Sequence, residues 1–465
     1  MNLVIENITQ KNKYSYIIVF ILMSIILGIY TIDLPPITIN FLFLFVCTTF
    51  LIFKQYDIIL FIFIVLFPTN GFVNTEYNIL GILNSKYIIS IFALFVGILK
   101  DKEIKNNYQF DKLAKYGFSF IVFASIYLVI QDFKIEQLGI QDVSIMKHIT
   151  GFIKKSVDVI VFYYIIKFSN LTYYKLYFQK AFFVSLLIIS ISLIFSDVLY
   201  EIGVYMGDEE RIKIGVENQR LGGVWGRLAG GDVNSLGGFL VMGISCVLFS
   251  SKRHPWLLII LIVFGIMLTG SRTAFVNLII VILAFLLFSK ESIGIKLRNI
   301  FLVSILGLIL FQIGIFDFVI ERMMLLVTGK DEGLDADGIG RLSGWFFYLD
   351  YITSDLKIFF FGASENIYDV VYSKFVVNRV AHNFYLQLWY FCGIFAVIIF
   401  LYLSVMLNVC ILRSENKYQV FLILPAFTTL FTISEVSVVY FIPIVLSLCT
   451  DYRFDFNQKK YVYKK

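Results

Sequence analysis

The stretch Arg379-Val-Ala-His-Asn-Phe-Tyr-Leu-Gln-Leu-Trp-Tyr-Phe-Cys-Gly393 closes a polar segment and opens a long apolar one. It holds His382, one of three histidines in the chain, followed by Asn383. A neutral imidazole titrates near physiological pH and accepts a proton from an attacking hydroxyl. Its plain alternative is a helix-capping or interfacial side chain. A second cluster runs Glu217-Asn-Gln-Arg220-Leu-Gly-Gly-Val-Trp-Gly-Arg227-Leu-Ala-Gly-Gly-Asp232-Val-Asn234 into an apolar segment. Glycines let a backbone approach a ligand closely, a helix N-terminus attracts anions, and arginines grip phosphate with two hydrogen bonds. Asp232 has two readings, a binding carboxylate or the cap of the following helix. The third cluster is the tight turn Thr269-Gly-Ser271-Arg272. An arginine so close to a bilayer costs free energy unless it is paired, reaches water or binds an anion. The fourth is Gly340-Arg341-Leu-Ser-Gly-Trp345, with Phe361-Gly362 and Glu365 downstream. His148 and His254 have no comparable company.

These residues need a scaffold, and composition says which kind. The chain is 59% hydrophobic and 15% charged, with a mean hydropathy of +0.84. Apolar runs of spanning length recur throughout and lack the two-residue alternation of a barrel strand, so the expectation is an all-α polytopic membrane protein. About fourteen transmembrane helices (12–14) are expected, near 15–32, 37–53, 57–73, 78–99, 116–131, 152–168, 181–199, 233–250, 255–269, 273–289, 299–318, 384–412, 418–433 and 436–450. In the sixth, Lys154 and Asp158 stand four apart and either pair or snorkel to the interface. Placing the N-terminus inside puts 23 of the 39 Lys and Arg, but only 9 of the 33 acids, on that side. The positive-inside rule then holds both termini in the cytoplasm. All four chemical clusters fall on the opposite side.

The chain divides accordingly into N-terminal transmembrane helices (1–199), an outside loop (200–232), central helices (233–318), a large outside loop (319–383), and C-terminal helices with a cytoplasmic tail (384–465). Within the large loop, Arg341 to Ile352 reads as an amphipathic helix lying in the interface. The five cysteines lie in or beside apolar runs without CxxC spacing, no His/Cys cluster has metal-ligand spacing, and there is no basic stripe for nucleic acid. The result is an arginine-rich outer pocket with one histidine and several carboxylates, suited to a pyrophosphate-linked substrate. No metal or other cofactor is expected.

In their order and spacing these motifs resemble the O-antigen polymerase and O-antigen ligase superfamily of bacterial envelope glycan assembly, over roughly 215–410. Arg227 through Gly230 to Asn234 resembles the family's arginine–glycine–asparagine approach to a helix, although Val233 stands where proline is frequent. Thr269 to Arg272 resembles its serine–arginine turn, and Gly340-Arg341, Trp345, Phe361-Gly362, His382-Asn383 and Gly393 follow in the family's order. Arg220 and Gly231, and Arg322 and Gly333, also fit an arginine-x10-glycine pattern, though one such match is expected by chance.

The resemblance implies a membrane-embedded, GT-C-like glycosyltransferase with two long periplasmic loops, in the bacterial inner membrane, working by inversion without a metal. Its substrate would be an undecaprenyl-pyrophosphate-linked oligosaccharide in the membrane lipid, with a chain-length regulator protein as a further partner. His382 and Arg272 would be catalytic. Arg220, Arg227, Asn234, Arg341, Asn383, Asp232 and Glu365 would bind substrate. A polymerase joins two lipid-linked repeat units, whereas a ligase transfers the glycan to lipid A core. The acidic run from Asp331 to Asp337 would repel an anionic core and favours the polymerase. A transporter of lipid-linked glycan is the third reading, and it calls for charged or broken helices at the bilayer midplane.

Overall fold

The computed structural model describes residues 2–68, 84–104, 112–137, 145–199, 233–250, 255–288, 341–363 and 383–413, apart from single positions, with isolated residues between 294 and 312. Among them the chain is all-α. We number the helices α1 (Asn2–Thr31), α2 (Ile37–Ile52), α3 (Tyr56–Leu66), α4 (Ser85–Ile104), α5 (Lys112–Gln137), α6 (Ile145–Phe168) and α7 (Thr172–Ile194), then α8 (Val233–Ser250), α9 (Trp256–Thr269), α10 (Arg272–Phe288), α11 (Arg341–Ser354), α12 (Leu356–Phe361) and α13 (Phe384–Arg413).

Local sequence explains where these helices stop. Between α2 and α3, Lys54 takes a left-handed conformation (φ 54°) while Gln55 N–H donates to Phe50 O (2.8 Å) and Lys54 N–H to Leu51 O (3.1 Å). That is the two-bond Schellman closure, with lysine where glycine is usual. Helix α9 follows Pro255 and ends at Gly270 (φ 59°), the common proline-first, glycine-last arrangement. The apolar core is continuous from α1 to α13, and α3 is buried from Asp57 to Leu66.

Helix ends assigned to the inside by charge counting meet in space. Asp57 at the start of α3 pairs with Lys100 of α4 (2.7 Å) and accepts from Tyr174 Oη (2.8 Å) and Tyr173 Oη (3.3 Å) at the start of α7. Burial first, and then the Asp57 carboxylate, push the Tyr174 hydroxyl well above its ordinary pKa, so it stays a donor. Lys167 at the end of α6 pairs with Asp101 of α4. The i, i+4 pairing of Lys154 with Asp158 is not what forms: Asp158 accepts from Ser90 Oγ (2.7 Å), and the Lys154 ammonium sits 3.9 Å from the centre of the Tyr87 ring.

The expectation of about fourteen spanning helices, and with it the many-helix GT-C-like count, is not met. Among the described residues thirteen helices form, and four are long and apolar enough to cross a membrane: Tyr14–Thr31, Lys112–Gln131, Leu176–Ile194 and Phe384–Leu412. These are consistent with a multi-pass membrane protein. A span needs about 20 residues at about 1.5 Å rise each. Several expected runs form apolar helices below that length: Ile37–Ile52, Tyr56–Leu66, Leu236–Leu248, Trp256–Thr269 and Thr273–Leu286. Reading each apolar run as a full span overcounts, because a run of 11 to 16 residues is also what a buried helix inside a bundle looks like. The expected spans at 418–433 and 436–450, and nearly all of 299–318, lie outside the described residues.

Candidate functional site

The described parts of the chemical clusters share one structural position. Asn234 is the second residue of α8, Arg272 the first of α10, Arg341 the first of α11, and Asn383 directly precedes α13. Each therefore stands at a helix N-terminus, where free N–H groups and the helix dipole favour an anion.

The turn between α9 and α10 is built to present that terminus. Thr269 Oγ1 donates to Ile266 O (2.6 Å) and accepts from Ser271 N–H (3.3 Å). Gly270 reverses the chain, and Ser271 Oγ caps α10 by accepting from Ala274 N–H (3.3 Å). Helix α8 packs directly on this turn. A Cβ at Gly237 would lie 2.6 Å from Ala274 Cβ and 3.1 Å from Ser271 Cβ, so only glycine allows the approach. Asn234 lies one turn before Gly237, which brings the Asn234 and Arg272 backbones to the same pair of helix starts.

The second assembly is a clasp between α12 and α13. Helix α13 is broken at Gly393 (φ 78°, ψ 176°), and α12 ends at Gly362 (φ 86°, ψ 170°). Both glycines occupy a region that is essentially closed to other residues. Each approaches the other helix's backbone: a Cβ at Gly362 would lie 2.6 Å from Phe391 O, and one at Gly393 would run into the Phe360 carbonyl. Tyr390 O, in the last turn before the break, accepts from Ala363 N–H (2.8 Å). Trp389 Nε1–H donates to Phe359 O (3.0 Å), and Phe360 stacks on Phe395 (5.7 Å). The backbone groups exposed by the break are thus used by α12. The expected helix from Arg341 to Ile352 forms as α11 and packs on α13 through Tyr348 and Tyr390 (5.8 Å).

Asn383 starts α13 as an N-cap. Its Oδ1 accepts from Tyr385 N–H (3.0 Å) and Leu386 N–H (3.3 Å), and the residue is buried. That is a role in orienting the helix that follows His382. Sequence reasoning passed over Lys134. Its Nζ donates to Ala363 O (3.2 Å) and ties α5 to the clasp. A cation near the end of an otherwise apolar span was the signal for it. Tyr127, on the same helix, packs on Phe384 at 5.2 Å.

Of the expected site residues, Asn383 has a described side chain, and Asn234, Arg272 and Arg341 have described backbones. Arg220, Arg227, Asp232, Glu365 and His382 lie outside the described residues. The structure brings the Asn234 and Arg272 helices together, and the Arg341 and Asn383 helices together. Among the described residues the main helix contacts join α8 to α9 and α10, and α13 to α5, α11 and α12, without joining one group to the other.

Comparison with curated proteins and with solved structures returns no match. The family model described as O-Antigen ligase matches residues 256–401. That stretch holds the Thr269–Arg272 turn, Arg341, Glu365, His382, Asn383 and the whole α12–α13 clasp; the glycine-rich segment with Arg220, Arg227, Asp232 and Asn234 precedes it. From α9 through the break in α13, this chain contains a domain of the O-antigen ligase family.

Proposed function

We propose that this protein is a ligase-type glycosyltransferase. It moves a glycan from undecaprenyl pyrophosphate to an acceptor outside the lipid-carrier pool, with lipid A core the first to test. The observation that carries this reading is the O-Antigen ligase match over residues 256–401, which contains His382, Arg272 and Arg341. In the reaction, an acceptor hydroxyl oxygen attacks the anomeric carbon, the bond from that carbon to the pyrophosphate oxygen breaks, and its electron pair leaves with undecaprenyl pyrophosphate. His382 takes the hydroxyl proton. Arg272, with Arg227, Arg220 and Arg341, steadies the leaving pyrophosphate, helped by the helix N-termini of α8 and α10. Asn234, Asp232 and Glu365 contact the glycan, and Asn383 holds His382 at the mouth of α13. The chemistry stands on the periplasmic face, with both termini in the cytoplasm.

The polymerase is the second reading, favoured by the acidic run Asp331 to Asp337, which would repel an anionic core. The break at Gly393 is a feature of transporters too, so the test includes that outcome. Purified protein in nanodiscs is given lipid-pyrophosphate-linked repeat units with and without lipid A core, and the products are separated on a gel. A conjugate formed only with core, and lost in His382→Ala and Arg272→Ala, is the expected result. A ladder of increasing length without core makes the protein a polymerase. Translocation of lipid-linked glycan with no transfer in either reaction makes it a transporter.

A further inference from the structure

The first turns of α13 hold a polar group that their surroundings leave unanswered. Gln387, the fourth residue of the helix, is 1% exposed, and its carboxamide oxygen has no hydrogen-bond partner among the described residues. A buried acceptor left alone is costly, and each such group calls for a donor. The helix has none to give it. Asn383 Oδ1 takes the N–H groups of Tyr385 and Leu386, and Gln387 N–H donates to Asn383 O. The buried hydroxyls of Ser185 and Ser190 also lack partners, but they differ in kind. A hydroxyl rotates to donate to a carbonyl of its own helix, whereas a carboxamide oxygen only accepts.

Spacing names the donor. With Asn383 as the N-cap, Gln387 stands at the fourth helical position and His382 directly before the cap. Side chains at those two positions meet across the first turn of a capped helix, usually as an apolar pair. Helical side chains also lean back toward the N-terminus, which carries a group at Gln387 over Asn383 toward the residue before it. An imidazole that takes a proton at one nitrogen carries a hydrogen on the other. An acceptor on that hydrogen fixes the tautomer and the ring plane. A carboxamide does so without adding charge.

We propose that Gln387 is a positioning residue for glycan transfer: its Oε1 accepts the ring N–H of His382 and holds the opposite ring nitrogen toward the acceptor hydroxyl. The inference rests on His382 being the base of the proposed reaction. Among the described residues, the titratable groups that other helices bring to this part of α13 are Tyr127 and Lys134 of α5 and Tyr348 and Tyr351 of α11. Tyr385, Tyr390 and Cys392 lie on α13 itself. All of these are retained in every variant below, so none accounts for a difference between variants.

The test uses the purified full chain in detergent, isotope-labelled at the nitrogens of its three histidines and titrated by NMR, with the His382 signals assigned by their loss in His382→Ala. In the parent the neutral His382 ring is expected in one tautomer. A tautomer mixture like that of free histidine overturns the proposal before any variant is made. Gln387→Met is expected to release the ring into that mixture. Gln387→Glu places a carboxylate on the N–H and is expected to raise the pKa of His382 by at least about one. An unchanged tautomer and titration in both variants overturns the proposal, whatever either does to the unfolding midpoint. Transfer is then measured in nanodiscs, where Gln387→Met is expected to lower kcat at least about tenfold with KM within about twofold. Loss of transfer in His382→Ala beside a fully active Gln387→Met defeats this inference and leaves the functional reading standing. A fully active His382→Ala defeats both.

Discussion

At one end of the bundle Asp57 draws α3, α4 and α7 together through Lys100, Tyr173 and Tyr174; where α12 meets α13, Gly362 and Gly393 let backbone meet backbone. The first junction depends on groups that are present and the second on atoms that are absent. A charged junction is breakable by removing one member, because the other is left buried without its counter-charge. It is also replaceable, because a matched apolar pair can fill the same space. A glycine junction has no equivalent replacement: any side chain meets both a forbidden backbone conformation and a carbonyl already in the way.

That contrast sets the order of expected effects. Gly393→Ala should be the most damaging change, costing at least about 3 kcal/mol from backbone strain together with steric conflict. Thermal unfolding in detergent should show the loss, and an unchanged midpoint would mean that the clasp is not rigid. Gly362→Ala should follow closely. Lys100→Met should cost about 3 kcal/mol, and the double variant Asp57→Leu/Lys100→Met should recover most of it. Failure of the double variant to recover would show that the tyrosine hydroxyls, and not the ion pair, dominate this junction.

The helix caps come next. Asn383→Ala and Ser271→Ala should each cost about 1 kcal/mol, while Asn383→Asp retains most of the stability. If Asn383→Asp is as destabilised as Asn383→Ala, the amide group has a partner beyond the helix N-terminus. The smallest change is a gain. Lys54→Gly should stabilise by up to about 1 kcal/mol, since glycine removes the strain of a left-handed lysine. A loss measured there would mean that the Lys54 side chain contributes more than its backbone costs.

Much of the α13 start was legible in advance. A polar dipeptide before a long apolar run marks a helix N-terminus, and Asn383 caps one. The Thr269–Arg272 turn was legible for the same reason: a glycine between two apolar runs, followed by a capping serine. The break at Gly393 was not. Its flanking residues continue the apolar run without pause, and one glycine inside a helix is usually harmless. What makes this one a break is Gly362, thirty-one positions earlier, whose close approach no local pattern records. The span count failed for a related reason. Hydropathy reports that a segment avoids water, and a short helix enclosed by other helices avoids water as fully as one enclosed by lipid.

By itself the sequence determined the class of the molecule. Continuous apolar runs demand helices, since a backbone leaving water must satisfy its own hydrogen bonds, and the alternation of basic turns sorted helix ends that the structure then gathers around Asp57. Glycines, prolines and capping residues marked some of the helix ends, among them Pro255, Gly270, Ser271 and Asn383. Tertiary structure decided which helices share a neighbourhood: the one holding Asn234 with the one begun by Arg272 through Gly237, and the one begun by Arg341 with the one capped by Asn383 through Tyr348 and Tyr390. It also decided that α13 is two helices and that Lys134 reaches Ala363. Each of these depends on which surfaces pack together across long stretches of chain. That is settled by shape and buried polar partners, and neither is written in any local run of residues.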